Sequence, residues 1–161
     1  MRLVHFAPIL AAAFAAVTVL PASADVVEAR IGDKFQKKLE KDYGVREADI
    51  LKESLVKRVE HELGKSGNTA ARVVLTIEDA QPNRPTFEQM SNKPDLDPFR
   101  SISIGGAKVS GIAYDAAGAQ IGTCSYDWYE SDITQEIGAT TWTDARNVFD
   151  RFASRCAKKL G

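Results

Sequence analysis

Apolar and polar residues along this chain fall into distinct periods, and each period predicts an element. An almost unbroken apolar run extends from Leu3 to Leu20 behind a single Arg2. Residues 25–31, DVVEARI, then alternate Val27, Ala29 and Ile31 against Glu28 and Arg30, as a half-buried strand does, although an early helix fits the same letters. Asp33 with Gln36 three residues on reads as a capping box, and Phe35 and Leu39 share a face before a break at Tyr43-Gly44. Leu51, Leu55, Val59 and Leu63 recur at helical spacing among charges, with Gly64 where a C-terminal glycine belongs. ARVVLTIED alternates Val73, Leu75 and Ile77 against Val74, Thr76 and Glu78, which predicts a strand with one apolar face.

Strand alternation resumes in SISIGGAKVSGIAYD and continues in AQIGTCSYDWYE, on either side of Asp115-Ala-Ala-Gly118. Asp at the first turn position and Gly at the fourth suit a type I turn closed by a glycine bulge, so these strands are expected to form a hairpin. Gly105-Gly106 marks a bulge, or a place where something packs directly on the backbone. In the last segment Thr141 reads as an N-cap with Asp144 three residues on, and Trp142, Ala145, Phe149, Phe152, Cys156 and Leu160 form one apolar stripe. Lys158 and Lys159 lie at the end where the helix dipole favours positive charge. Between the periodic segments, QPNRPTFEQMSNKPDLDPF, Gln81 to Phe99, holds Pro82, Pro85, Pro94 and Pro98. Proline removes backbone donors that helices and central strands need, so this segment reads as a long loop and as the best candidate for a binding segment.

These elements predict a single α+β domain. Its sheet is mainly antiparallel, with three or four strands, and is covered on one face by N-terminal helices and a C-terminal amphipathic helix. The apolar run at the start, with Ala22 and Ala24 before Asp25, has the form of a secretory signal peptide cleaved between Ala24 and Asp25. Residues 25–161 then form one domain with no further membrane span, released into the periplasm or secreted.

Charge narrows the choice of partners. Lys and Arg number 21 against 22 Asp and Glu, a net of −1, and Arg2 leaves with the leader. Such an interspersed balance attracts neither nucleic acid nor an anionic membrane. There is no phosphate-binding glycine loop and no nucleophile elbow. His61 is the one histidine beyond the leader, so a metal site and a histidine-dependent triad are not expected, nor is a cofactor. Asp127, Glu130, Asp132 and Glu136 are read as a solvated edge, and Asp95 and Asp97 do not make an EF-hand pattern. Arg84, Arg100, Asp127 and Tyr129 are the candidate ligand-binding residues, since guanidinium forks suit anions and aromatic faces suit stacking. Arg146, Asp150, Arg151 and Arg155 are read as the solvated face of the last helix.

Cys124 and Cys156 are the only cysteines. On a strand Cys124, Tyr126 and Trp128 point one way while Asp127 and Tyr129 point the other, and Cys156 lies in the helical stripe. Both sulfurs therefore face one helix–sheet interface, and in an exported chain a disulfide between them is expected.

Taken together, IGDKFQKKLEKDYG, VVLTIEDAQPNRPTFEQM, ISIGGAKVSGIAYDAAG, YDWYESDI and TWTDARNVFDRFA resemble the pattern of uncharacterised exported proteins of Gram-negative bacteria. The layout is also similar to that of small envelope accessory proteins with helices over one face of an antiparallel sheet. The resemblance implies no activity and no functional residues. The functional expectation is a non-enzymatic binding or accessory module of the envelope, whose partner is an envelope protein or a small ligand. The alternatives are an enzyme acting on an envelope polymer through Asp127, Glu130 or Asp132, and a structural protein that self-associates along a strand edge.

Overall fold

The computed structural model describes residues 26–67 and 69–160; the expected signal peptide and its expected cleavage site at Ala24–Asp25 lie outside them. In chain order the elements are strand β1 (Val26–Ile31), helix α1 (Asp33–Lys38), a π-helical turn (Leu39–Tyr43), helix α2 (Glu47–Ser66), strand β2 (Arg72–Gln81), helix α3 (Phe87–Asn92), strands β3 (Gly106–Tyr114) and β4 (Gln120–Tyr129), a 3-10 turn (Ile133–Glu136), helix α4 (Thr143–Cys156) and a closing 3-10 turn (Ala157–Lys159). The four strands lie in the order β1-β2-β3-β4. β1 runs parallel to β2, which needs the α1–α2 crossover between them, and the two other pairings are antiparallel. This is the expected mainly antiparallel α+β fold.

The helical stripes meet the apolar side of the sheet. Leu51, Leu55, Val59 and Leu63 of α2, and Ala145, Val148, Phe149, Phe152 and Cys156 of α4, are buried together with Val73, Leu75, Ile77, Ala107, Val109 and Ala113 of the sheet. Phe35 and Leu39 join them from the first helical segment, and Leu160 closes the end. Arg58 of α2 pairs with Asp150 of α4 at 2.6 Å on the outside of this helix pair. No helix among the described residues is long and apolar enough to cross a membrane.

Local geometry corrects four expectations. Gly32 is still tied to β2 through its N–H to the Ile77 carbonyl, so the N-cap of α1 is Gly32 and not Asp33, and Gln36 bonds Glu40 instead of closing a capping box. α2 passes through Gly64 and ends at Gly67, whose φ of 66° lies in the left-handed region that glycine enters without strain. Thr141 does not cap α4: Trp142 stands at the N-cap position and the helix takes its cap from elsewhere, as described below. The proline-rich segment is not all loop, for Thr86 and Gln89 form a reciprocal capping box that starts α3.

The hairpin is as expected. The Asp115 carbonyl accepts from Gly118 N–H, the Asp115 carboxylate accepts from Ala117 and Ala119 N–H, and Gly118 takes a φ of 82°.

Candidate functional site

The cysteines form the expected disulfide, Cys124 of β4 to Cys156 at the end of α4, with their Cα atoms 5.7 Å apart. None of the ten β4 residues is buried, so this edge strand is held by its pairing with β3, by the disulfide and by two stacked guanidinium groups. Arg151 lies 4.6 Å above the Trp128 ring and Arg155 4.7 Å above Tyr126. These two arginines lie on the exposed face of α4, as expected, and from there reach over the aromatic rings of β4.

The candidate ligand-binding residues divide between two regions. On the loop side, Arg84 donates from Nε to the Ala139 carbonyl at 3.1 Å, from Nη2 to the Glu136 carbonyl at 3.5 Å, and from Nη1 to the Phe99 carbonyl. Its fork thus ties the proline-rich segment to residues 136–139. Arg100 stands in the adjacent turn, where the Asp97 carboxylate accepts from Phe99 and Arg100 N–H at 2.7 Å each; these bonds hold Asp97 below the usual carboxylate range.

On the outer face of β4, Asp127 lies opposite Lys108 of β3. Tyr129 is hydrogen-bonded to Asp79, and burial first, then that carboxylate, pushes its hydroxyl above the ordinary tyrosine range. Asp79 also accepts from Lys38 Nζ at 2.7 and 2.8 Å. A groove of about 680 Å³ opens beside this pair, lined by Asp33, Lys34, Lys38, Glu78, Lys108 and Ser110.

The acids after β4 do not act together. Glu130 accepts from Ser131 and Asp132 N–H, and Asp132 caps the 3-10 turn by accepting from Thr134 N–H and Oγ1–H. Those bonds hold Asp132 below the usual carboxylate range. Asp127, Glu130 and Asp132 are thus splayed over an exposed strand end, without the paired geometry that polymer hydrolysis uses.

Glu136, read from the sequence as part of a solvated edge, is instead buried at 2% exposure, beside Asn83 at 0% and Asp144 at 6%. Asn83 follows Pro82, past the end of β2. Its Nδ2 donates to Glu136 Oε2 and, at 2.7 Å, to Asp144 Oδ2, while its Oδ1 accepts from Asp144 N–H at 3.0 Å. This last bond supplies the missing cap of α4. The Asn83 main chain is bonded as well, N–H to the Thr141 carbonyl at 2.8 Å and carbonyl from Ser103 N–H at 3.0 Å. Gly105 makes room for the amide: a Cβ there would fall 2.5 Å from Asn83 Nδ2. This is the close backbone approach that the Gly-Gly pair suggested. Gly105→Ala should therefore cost about 1–3 kcal/mol, the usual cost of overpacking, measured by urea unfolding.

In front of the cluster lies a cleft of about 370 Å³ lined by Trp128, Glu130, Glu136, Asp144, Asn147 and Arg151. A second cleft, of about 430 Å³, lies between the two segments that Arg84 joins. Pro85, Phe87, Met90, Pro98 and Phe99 line one side of it, and Gly138 to Thr141 belong to the other. Phe87 and Phe99 are 74% and 85% exposed. Comparison with protein families, curated proteins and solved structures finds no match to this chain.

Proposed function

We propose that this chain is an exported, non-enzymatic binding module of the cell envelope, which grips an extended apolar segment of a partner protein with its proline-rich segment. The observation that carries this reading is the pair of exposed aromatic side chains, Phe87 and Phe99, on the rim of one cleft with Pro85, Pro98 and Met90. Two large apolar rings left in water beside a concave surface are unfavourable for an isolated protein and favourable once a partner covers them. The capping box of α3 and the three carbonyl bonds of Arg84 hold this rim in shape, which lowers the entropy cost of binding. Export to the periplasm or beyond is supported by the leader pattern and by a disulfide, a bond that persists in oxidising compartments.

The test is crosslinking in the periplasm followed by recovery of the bound protein, with Phe87→Ser/Phe99→Ser beside the native chain. Loss of one specific partner in the double variant, at an unchanged melting temperature, is the expected result. Equal recovery from both proteins would end the proposal.

Self-association is a second reading, favoured by the β4 edge, which pairs with no second strand among the described residues. Sedimentation at increasing concentration, showing a dimer that Ser125→Pro abolishes, is its expected signature; a monomer throughout rejects it.

A further inference from the structure

We propose that Asn83, Glu136 and Asp144 form a proton-operated latch, which holds the proline-rich segment against the start of α4 in acid and releases it as the pH rises to neutrality. The latch stands whether or not the aromatic cleft binds a partner.

The geometry begins with one side-chain amide facing two carboxyl groups from opposite directions in the chain, Glu136 from the 3-10 turn and Asp144 from α4. All three groups are buried. One amide cannot neutralise two negative charges, and two bare carboxylates side by side out of water repel strongly. The arrangement is complete when one proton is shared between them, so that one carboxyl donates to the other while both accept from Asn83.

Asp144 sits in the first turn of α4, where the helix dipole favours negative charge, so the proton belongs on Glu136. Burial first, then its hydrogen bond to Asp144 and the charge of that residue, push Glu136 up to about 7.

Among the described residues no cation forms an ion pair with Glu136 or Asp144. From α4, Arg151 lines the same cleft but stacks on Trp128; from the proline-rich segment, the Arg84 guanidinium is engaged by main-chain carbonyls, one of them that of Glu136 itself. From the end of β4, Glu130 adds a further negative charge that opposes ionisation of Glu136.

Sign and size follow. The folded-state value lies above the ordinary 4.5, so the closed form has its full advantage below about pH 4.5 and loses it as the pH climbs to about 7. Each unit is a tenfold change, so the equilibrium between closed and open should move by roughly a hundredfold or more across this window. Opening separates Asn83 from Asp144, which uncaps α4 and frees the Asn83 N–H from the Thr141 carbonyl.

Amide hydrogen exchange at Asn83 and Asp144 in the purified chain, corrected for the intrinsic dependence on pH, reads both bonds. The expected result is a rise in their opening constants of about a hundredfold between pH 5 and pH 8. Glu136→Gln offers an acceptor to Asn83 and a donor to Asp144 without titrating, so its opening constants should stay flat. A flat native profile, or an equal rise in Glu136→Gln, overturns the latch. Should that variant not fold, the carbon-13 titration of the Glu136 carboxyl in the native protein decides: a midpoint near 7 supports the latch and one near 4.5 overturns it.

Discussion

Replacing both Cys124 and Cys156 by serine should lower the stability of the folded domain by about 3–4 kcal/mol, the loop-entropy value for a ring of this size. The ring spans a sequence separation of 32 residues, and its loss lets the unfolded chain explore conformations the disulfide forbids. The folded state loses as well. β4 has no buried residue of its own, and Cys124 is its one covalent tie to the core, at a point where Cys156 is fully packed. Urea unfolding of the double variant should show a midpoint lower by about 1–2 M and a somewhat steeper slope, since the freed unfolded chain exposes more surface. A shift below about 0.3 M would mean that the stacked Arg151 and Arg155 suffice to hold the edge strand.

The second large effect is expected at a residue that composition and periodicity pass over. Asn83→Asp keeps the shape of the side chain but replaces its only donor by an acceptor, directly against Glu136 and Asp144. Three carboxyl groups then meet in a space closed by the Gly105 backbone, with no amide to bridge them. A broken buried polar contact of this kind costs about 3–5 kcal/mol, a large part of the stability of an ordinary domain. The crowding raises the affinity of the cluster for protons, so the loss should be smaller at pH 5 than at pH 8. Unfolding curves at the two pH values test both parts. Equal stability to the native protein at pH 5, where the cluster is closed, would show that Asn83 is a bystander.

The contrast between these two sites shows what could be read from the chain before its structure. The disulfide was legible because both of its ends lie in strong local patterns, an alternating strand and a helical stripe, and each pattern points its sulfur inward. The hairpin was legible for a similar reason, since Asp115 and Gly118 carry their turn within four residues. The Asn83 cluster is built from residues 53 and 61 positions apart in the chain, so no window of sequence contains it. Its signals were present in other guises: Gly105 as an unexplained glycine, Asp144 as an apparent partner of Thr141, and Glu136 as one more acid in an acidic stretch. Thr86 and Gln89 were a missed signal of another sort, a true capping box hidden among prolines. Arg151 and Arg155 were read as an exposed helix face, which they are, but their stacking on Trp128 and Tyr126 was not legible, because it depends on which strand lies beside the helix. The parallel β1–β2 pair left no local trace, because strand direction is decided by the crossover and not by the strand.

The Cys124–Cys156 bond also encloses everything between its ends, including Glu136 and Asp144. When the cluster opens, the segment that carries Glu136 cannot drift away; it swings on a short tether whose two ends are fixed to the same core. Re-closing is therefore an encounter within a small volume, at the high effective concentration of a tethered pair. The disulfide thus keeps the Glu136 and Asp144 side of the latch in place, so the released proline-rich segment returns to the same seat.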